Sequence, residues 1–226
     1  MAGTIKVVDL LAQAQILLLD TAGTRWALTE LQGWLNSGYR AIVDIRPDAN
    51  TPVGTVTCIA GIRQDVASTF ANAIELVEVI RNVAATSNNN MVIQIDRHSL
   101  DDQRRTWPND PASVNIENYI YDPRTPTQFL VYPPALNTAQ LEVVYNAIPT
   151  PHTLTLVQLQ NTSTSETIRL IDSYANPLLD FVMYRAFTKD SDNPANARRA
   201  ADHYQAFKDA MGLKAGGDKS VQPGNA

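Results

Sequence analysis

Residues 29–60 read TELQGWLNSGYRAIVDIRPDANTPVGTVTCIA, and the change of period inside this stretch decides the fold. Leu31, Trp34, Leu35, Tyr39, Ile42 and Ile45 recur three or four residues apart, which is one face of a helix over Thr29 to Ile45. Pro47 ends that helix, because proline cannot continue the ladder of backbone hydrogen bonds. From Val53 to Ala60 the residues alternate and are rich in β-branched side chains, then meet Gly61, which predicts a strand and a turn.

Toward the N-terminus, Ile5, Val8, Leu11 or Ala12, Ile16 and Leu19 recur at helical spacing between Thr4 and Asp20. Leu10, Leu17 and Leu18 widen that stripe, so this helix is expected to be covered on more than one side before Gly23 breaks it. Toward the C-terminus, Ile74 to Val83 fits either period, and Val77, Val79 and Val83 favour a strand. Asn88 to Asn90 mark a turn before a strand over Met91 to Ile95, and residues 97–106 read as a short helix opened by Asp96 or Ser99. Three more strands are expected, Ile116 to Tyr121, Phe129 to Tyr132 and Gln140 to Ile148, with Thr153 to Leu159 as a further candidate.

The last third returns to helix. One is expected over Ser173 to Lys189, with Tyr174, Leu178, Phe181, Val182 and Arg185 on one side and Pro177 tolerated in the first turn. Asn193 then supplies a cap and Pro194 the first position of a helix carrying Ala197, Ala200, Ala201, Tyr204, Phe207 and Met211, which Gly212 is expected to stop. Lys214 to Ala226 is glycine-rich and polar, the composition of a mobile tail. The order implies an α+β fold, in which N- and C-terminal helices form a bundle around an inserted antiparallel β-sandwich or barrel-like module. The expected domains are 1–50 plus 165–212 for the bundle, 51–164 for the β insert and 213–226 for the flexible tail.

Bulk properties narrow the function. The 226 residues are 44% hydrophobic and 18% charged, enough apolar material for a sizeable core. The net charge of -5 argues against a general nucleic-acid grip, which needs cations for phosphate contacts, but not against surrounding DNA without holding it. A single cysteine, Cys58, excludes an intramolecular disulfide and reads as a small buried hydrophobe in a strand. The run Leu10 to Leu19 is interrupted by Gln13 and Gln15 and is too short to span a bilayer, and no secretory leader pattern opens the chain. The expectation is a soluble protein made and assembled in a cytoplasm, with no membrane partner.

Chemistry is sparse. His98, His152 and His203 lie far apart without a second ligand at metal spacing, and each reads as a surface or structural histidine. No phosphate loop, nucleophile elbow or kinase signature occurs. Asp96, Asp101 and Asp102 are the best candidates for carboxylate chemistry, yet Asp101 and Asp102 are adjacent and diverge on a helix, so a solvated helix start is the simpler reading. Arg104 and Arg105 beside Trp107 suit a subunit interface better than DNA. Tyr119, Tyr121, Tyr132 and Tyr145 would suit a stacking platform, or merely half-buried strands. No catalytic residue, cofactor or metal site is expected, and no internal repeat is found.

Several blocks resemble the phage head-to-tail adaptor, or connector, family. They are Ile5 to Leu11, Asp20-Thr21, Arg25-Trp26, Glu30-Leu31, Trp34 to Asn36, Arg40 to Val43 and Arg46 to Ala49. Ile95 to Arg97, Leu100-Asp101, Gln103-Arg104, Tyr119 to Asp122 and Phe129 to Pro134 continue the likeness. The final block is the fullest: Tyr174 to Asn176, Leu178 to Asp180, Tyr184 to Ala186, Ser191-Asp192, Ala200-Ala201 and His203-Tyr204. The resemblance covers about residues 5–212 in packing and interface signatures, and departs from the family at Pro177, where a good helix former is expected.

The resemblance implies a structural virion protein at the head–tail junction, usually a ring of twelve copies bound beneath the portal ring. Its expected partners are the portal, neighbouring subunits, the next tail component (a nozzle or tail tube protein), and DNA passing through the channel without sequence-specific binding. It implies that the C-terminal segment reaches the portal, and the expected portal and subunit contacts are Arg198, Arg199, Tyr204, Phe207, Lys208, Leu213 and Lys214, beside Arg104, Arg105 and Trp107. The alternatives are another head–tail completion or stopper protein, a carboxylate-dependent hydrolase centred on Asp96, Asp101 and Glu117, and an oligonucleotide-binding β module using its tyrosines.

Overall fold

The computed structural model describes residues 3–221, with side chains as far as Gly212. The chain divides into two compact units, residues 1–49 with 149–226, and residues 50–148. The fold is α+β, with helices from both ends of the sequence in one unit and the inserted strands in the other.

In the helical unit, α1 (Val7–Leu17), α2 (Leu28–Ile45), a single turn α4 (Leu156–Leu159), α5 (Ala175–Lys189) and the first turns of α6 (Pro194–Val221) enclose one apolar core. The α2 stripe read from the sequence faces inward at Leu31, Leu35, Tyr39 and Ile42, all fully buried, whereas Ile45 is exposed. In α1 the inward positions are Val7, Leu11, Ala14 and Leu18. Ile16 and Leu19, expected on the inner stripe, are exposed, because a leucine-rich run offers several equivalent stripes and only the neighbouring helices choose one. Extended residues preceding α1 pair with the returning chain: Gly3 N–H donates to Ile168 O, Val7 N–H to Glu166 O and Ile168 N–H to Ile5 O. Gly3 is required there, since a Cβ would lie 2.5 Å from Ile168 Cγ1 and 2.6 Å from the Leu170 carbonyl oxygen.

Three expectations change in this unit. The segment Thr153 to Leu159 is not a strand. Thr155 and Gln158 form a capping box around α4, and residues 149–164 belong with the helices although they were expected with the β insert. A 3-10 turn, Asp172–Tyr174, precedes α5, so the helix starts at Ala175 and not at Ser173, and Pro177 falls, as expected, in the first turn, where its missing N–H costs nothing and it is buried. The Asn193 side chain accepts from Ala195 N–H as the cap of α6, but Gly212 does not end that helix, whose backbone runs on to Val221. A glycine inside a helix costs only about 1 kcal/mol, which is a tax on the helix and not a stop. The tail expected at 213–226 is therefore helical backbone to 221, and residues 222–226 lie outside the described residues.

The β unit contains two sheets. One is antiparallel, in the order β1 (Val53–Thr57), β7 (Gln140–Ala147), β3 (Ala73–Asn82). The other runs β2 (Gly61–Asp65), β6 (Gln128–Ala135), β5 (Asn118–Tyr121), β4 (Ile93–Gln94), with β4 parallel to β5. Both contribute to one core, with Val56, Leu76, Val79, Leu141 and Val143 from the first sheet and Tyr119, Phe129 and Val131 from the second. This is a sandwich and not a closed barrel. The alternate residues of the second sheet, Ile120, Leu130 and Tyr132, form a smaller cluster under Leu100 of α3 (Arg97–Gln103) and Trp107, so that sheet is covered on both faces. Several strands differ from expectation: β1 ends at Thr57 and not at Ala60, and β4 and β5 are shorter than Met91 to Ile95 and Ile116 to Tyr121. β2 was not foreseen, because Arg63 and Asp65 mask its alternation, and β6 continues through Pro133 and Pro134 to Ala135.

Candidate functional site

The carboxylates that best suggested chemistry serve the architecture of the β unit. Asp96 caps α3 by accepting from His98 N–H at 2.8 Å. Asp101 accepts the indole N–H of Trp107 at 2.8 Å and pairs with Arg97, and these contacts hold its carboxyl below the ordinary range. A depression of about 990 Å³ is lined by Asp96, Arg97, Asp101, Asp122 and Arg124 among others, while Glu117 lines a different, smaller depression. The three carboxylates of the hydrolase reading thus do not converge on one cavity. In the larger depression Arg124 is committed to Asp122 through a 2.8 Å ion pair. Among the described residues no group of three or more His, Cys, Asp or Glu side chains is arranged to hold a metal ion.

The tyrosines are equally committed. Tyr119 and Tyr145 are buried, the latter stacked on Phe70 at 4.4 Å, and Tyr132 meets Trp107 edge-on. Cys58 is buried, and desolvation pushes its thiol up to about 12, which leaves it inert at neutral pH.

The sites expected to contact partners fall into four groups. Trp107 and Phe207 are buried within their own units and offer no surface. Arg104 pairs with Asp110 at 2.9 Å beside the exposed Arg105. On α6, Arg198, Arg199, Tyr204 and Lys208 are exposed while Asn196, Ala200, Phe207 and Met211 face the core. Two of the exposed four also dress the contact with α5, Arg199 lying over Phe187 and Tyr204 packing on Tyr184 at 4.7 Å, while Lys208 sits over Tyr204 on its own helix. The side chains of Leu213 and Lys214 lie outside the described residues.

Sequence reasoning missed a set of buried and half-buried amides that act as stand-ins for backbone. Gln32 and Asn36, one helical turn apart on α2, each bond both ways to the returning chain. Gln32 gives to Leu154 O and accepts from Leu154 N–H, and Asn36 does the same with His152. In the β unit, Gln64 holds the N–H and C=O of Ile59, and Asn82 holds those of Ile116 while also donating to Asn90 O. Next to Asn36 a polar chain runs inward. Tyr39 accepts from Arg169 N–H, and its hydroxyl lies 2.9 Å from His152 Nε2, whose Nδ1 lies 2.6 Å from Glu166. A carboxylate only accepts, so Nδ1 carries the proton and Nε2 receives the Tyr39 O–H. Burial pushes the His152 pKa below its ordinary value, and Tyr39, buried beside it, is pushed up. The one sequence signal was polar residues on the inner face of α2, easily read as surface.

Apolar side chains remain uncovered on the helical unit: Ile16, Leu17 and Leu19 at the end of α1, Leu156 and Val157 on α4, and Ile171. Leu19 is 92% exposed and sits at a φ of 55°, an unfavourable backbone for a leucine. Among the described residues no helix is long and apolar enough to cross a membrane. Comparison with curated proteins gives no match to this chain. The model of the SU10 adaptor protein family, however, matches residues 5–226. Apolar surface left open and this match over nearly the whole chain agree, and the protein belongs to the SU10 adaptor protein family, a family of phage head-to-tail adaptors.

Proposed function

We propose that this chain is the head-to-tail adaptor subunit of a tailed phage, forming a ring of twelve copies that joins the portal to the tail and passes DNA through its channel. The observation that carries the reading is the family match over residues 5–226. It is supported by the uncovered apolar residues of α1 and α4, which suit contacts with neighbouring copies. The 28-residue α6 would extend about 42 Å at 1.5 Å per residue, with Arg198, Arg199, Tyr204 and Lys208 as its exposed contacts toward the portal. The β unit then faces the next tail component, and the acidic balance lets DNA slide without being gripped.

Sedimentation of the purified chain, alone and with a portal ring, tests this. A stoichiometric complex supports the adaptor role, and deletion of residues 213–226 is expected to abolish it while leaving the fold intact. No complex under any condition overturns the reading in favour of another head–tail completion protein, and full binding by the truncated chain overturns the assignment of the C-terminal segment.

A further inference from the structure

The four edge strands of a two-sheet sandwich carry backbone groups without a neighbouring strand, and folded proteins normally protect them. Three of the four here are protected. β2 carries Arg63 and Asp65 and a register shift between Gly61 and Arg63. β3 carries Glu75, Glu78 and Arg81, changes register three times, and is overlaid where Val92 N–H donates to Ile80 O and Asn82 N–H to Asn90 O. β4 has two residues.

β1 has none of these devices. It pairs with β7 in unbroken register from Val53 opposite Val144 to Thr57 opposite Gln140. No charged side chain occurs anywhere from Ala49 to Ile62. The bonds at its two ends, Tyr145 N–H to Pro52 O and Cys58 N–H to Ala139 O, set the alternation. Even-numbered residues bond toward β7, and Val53, Thr55 and Thr57 turn their N–H and C=O groups outward. The side chains of those three residues are exposed as well.

We propose that β1 pairs edge to edge, antiparallel, with β1 of a second copy of this chain. Only an extended backbone satisfies a row of outward donors and acceptors. Within a second copy, the other edges are charged, bulged, covered or too short, which leaves β1 to meet itself. The register is self-complementary. A two-fold axis at Thr55 sets Thr55 against its own copy and Val53 against Thr57, β-branched pairs that suit cross-strand packing, with no like charges opposed. The product is a closed dimer sharing a six-stranded sheet. Because a two-fold contact closes on itself, it differs in symmetry from the head-to-tail contacts of a ring and stands independently of the adaptor reading.

Sedimentation equilibrium of the full chain over a wide concentration range, without portal, tests the proposal. The expected result is a monomer–dimer equilibrium whose dissociation constant rises at least tenfold in Thr55→Lys and in Thr57→Lys and is unchanged in Thr55→Val. Both lysines replace exposed side chains, and circular dichroism checks that the fold survives. Thr55→Pro gives a second route, since it deletes an N–H that the monomer does not use. A monomer at every concentration, or self-association indifferent to these variants, overturns the proposal. Portal binding is measured separately, so either reading can fail alone.

Discussion

The two units solve the same problem over very different distances. In the β unit the buried amides act locally, Gln64 on residues 3 and 5 positions away and Asn82 on partners 8 and 34 away. In the helical unit Gln32, Asn36 and Tyr39 hold partners 122, 116 and 113 positions away. The difference teaches why the insert is compact. Residues Asn50–Ile148 leave and re-enter the helical unit, and a self-contained fold between the two crossings shortens the effective loop that α2 must close onto residues 152–154. Long-range closure is then fixed by paired amide bonds, which are specific in register where apolar contacts are not.

The sharpest way to break this comparison is Asn82→Ala. It strands the buried N–H and C=O of Ile116, while the Asn90 carbonyl keeps the residue-82 backbone N–H, so a loss of roughly 2–4 kcal/mol is expected, confined at first to the β unit. Hydrogen exchange read by mass spectrometry separates the units, and equal loss of protection in both would show that they unfold as one. Gln32→Ala is the long-range counterpart. It frees both backbone groups of Leu154 at a cost of about 2 kcal/mol, and faster exchange should appear over residues 150–170 before it appears in the strands.

Gly3→Ala sharpens the picture at the edge of the same unit. A Cβ close to Ile168 and the Leu170 carbonyl should unseat the N-terminal segment at a cost of about 1–3 kcal/mol, visible as lost protection at residues 166–168. The smallest expected effect is on pH. Burial depresses the folded pKa of His152 while the unfolded ring keeps its ordinary value near 6.5. Its contribution is full above 6.5 and is lost as pH falls through the folded value, because the unfolded chain binds the extra proton. Asp101 and Asp122 of the β unit, whose pKa values lie below 3.8, hold theirs to lower pH. Between these limits the helical unit should weaken first, and His152→Gln should flatten that slope in denaturant titrations at successive pH values.

Hydrophobic period, proline and capping chemistry determined much of this protein without tertiary information. The inward face of α2, the Asn193–Pro194 start of α6, the strand character of Ala73–Asn82 and the α+β order all follow from local residue patterns. The family was legible too, in the blocks spread over residues 5–212. What the sequence left open was decided by neighbours. The leucine-rich α1 holds several equivalent stripes, and packing selected Val7, Leu11, Ala14 and Leu18 over Ile16 and Leu19. Gly212 is a stop signal only where the chain gains by turning. Trp107 and Phe207, read as contact residues, were drawn into cores because burying a large ring next to available apolar surface outweighs displaying it. Gln32, Gln64, Asn82 and His152 look like surface residues because polarity is written in the sequence, and yet they are buried. The backbone groups that make their burial favourable come from segments that only the fold brings near.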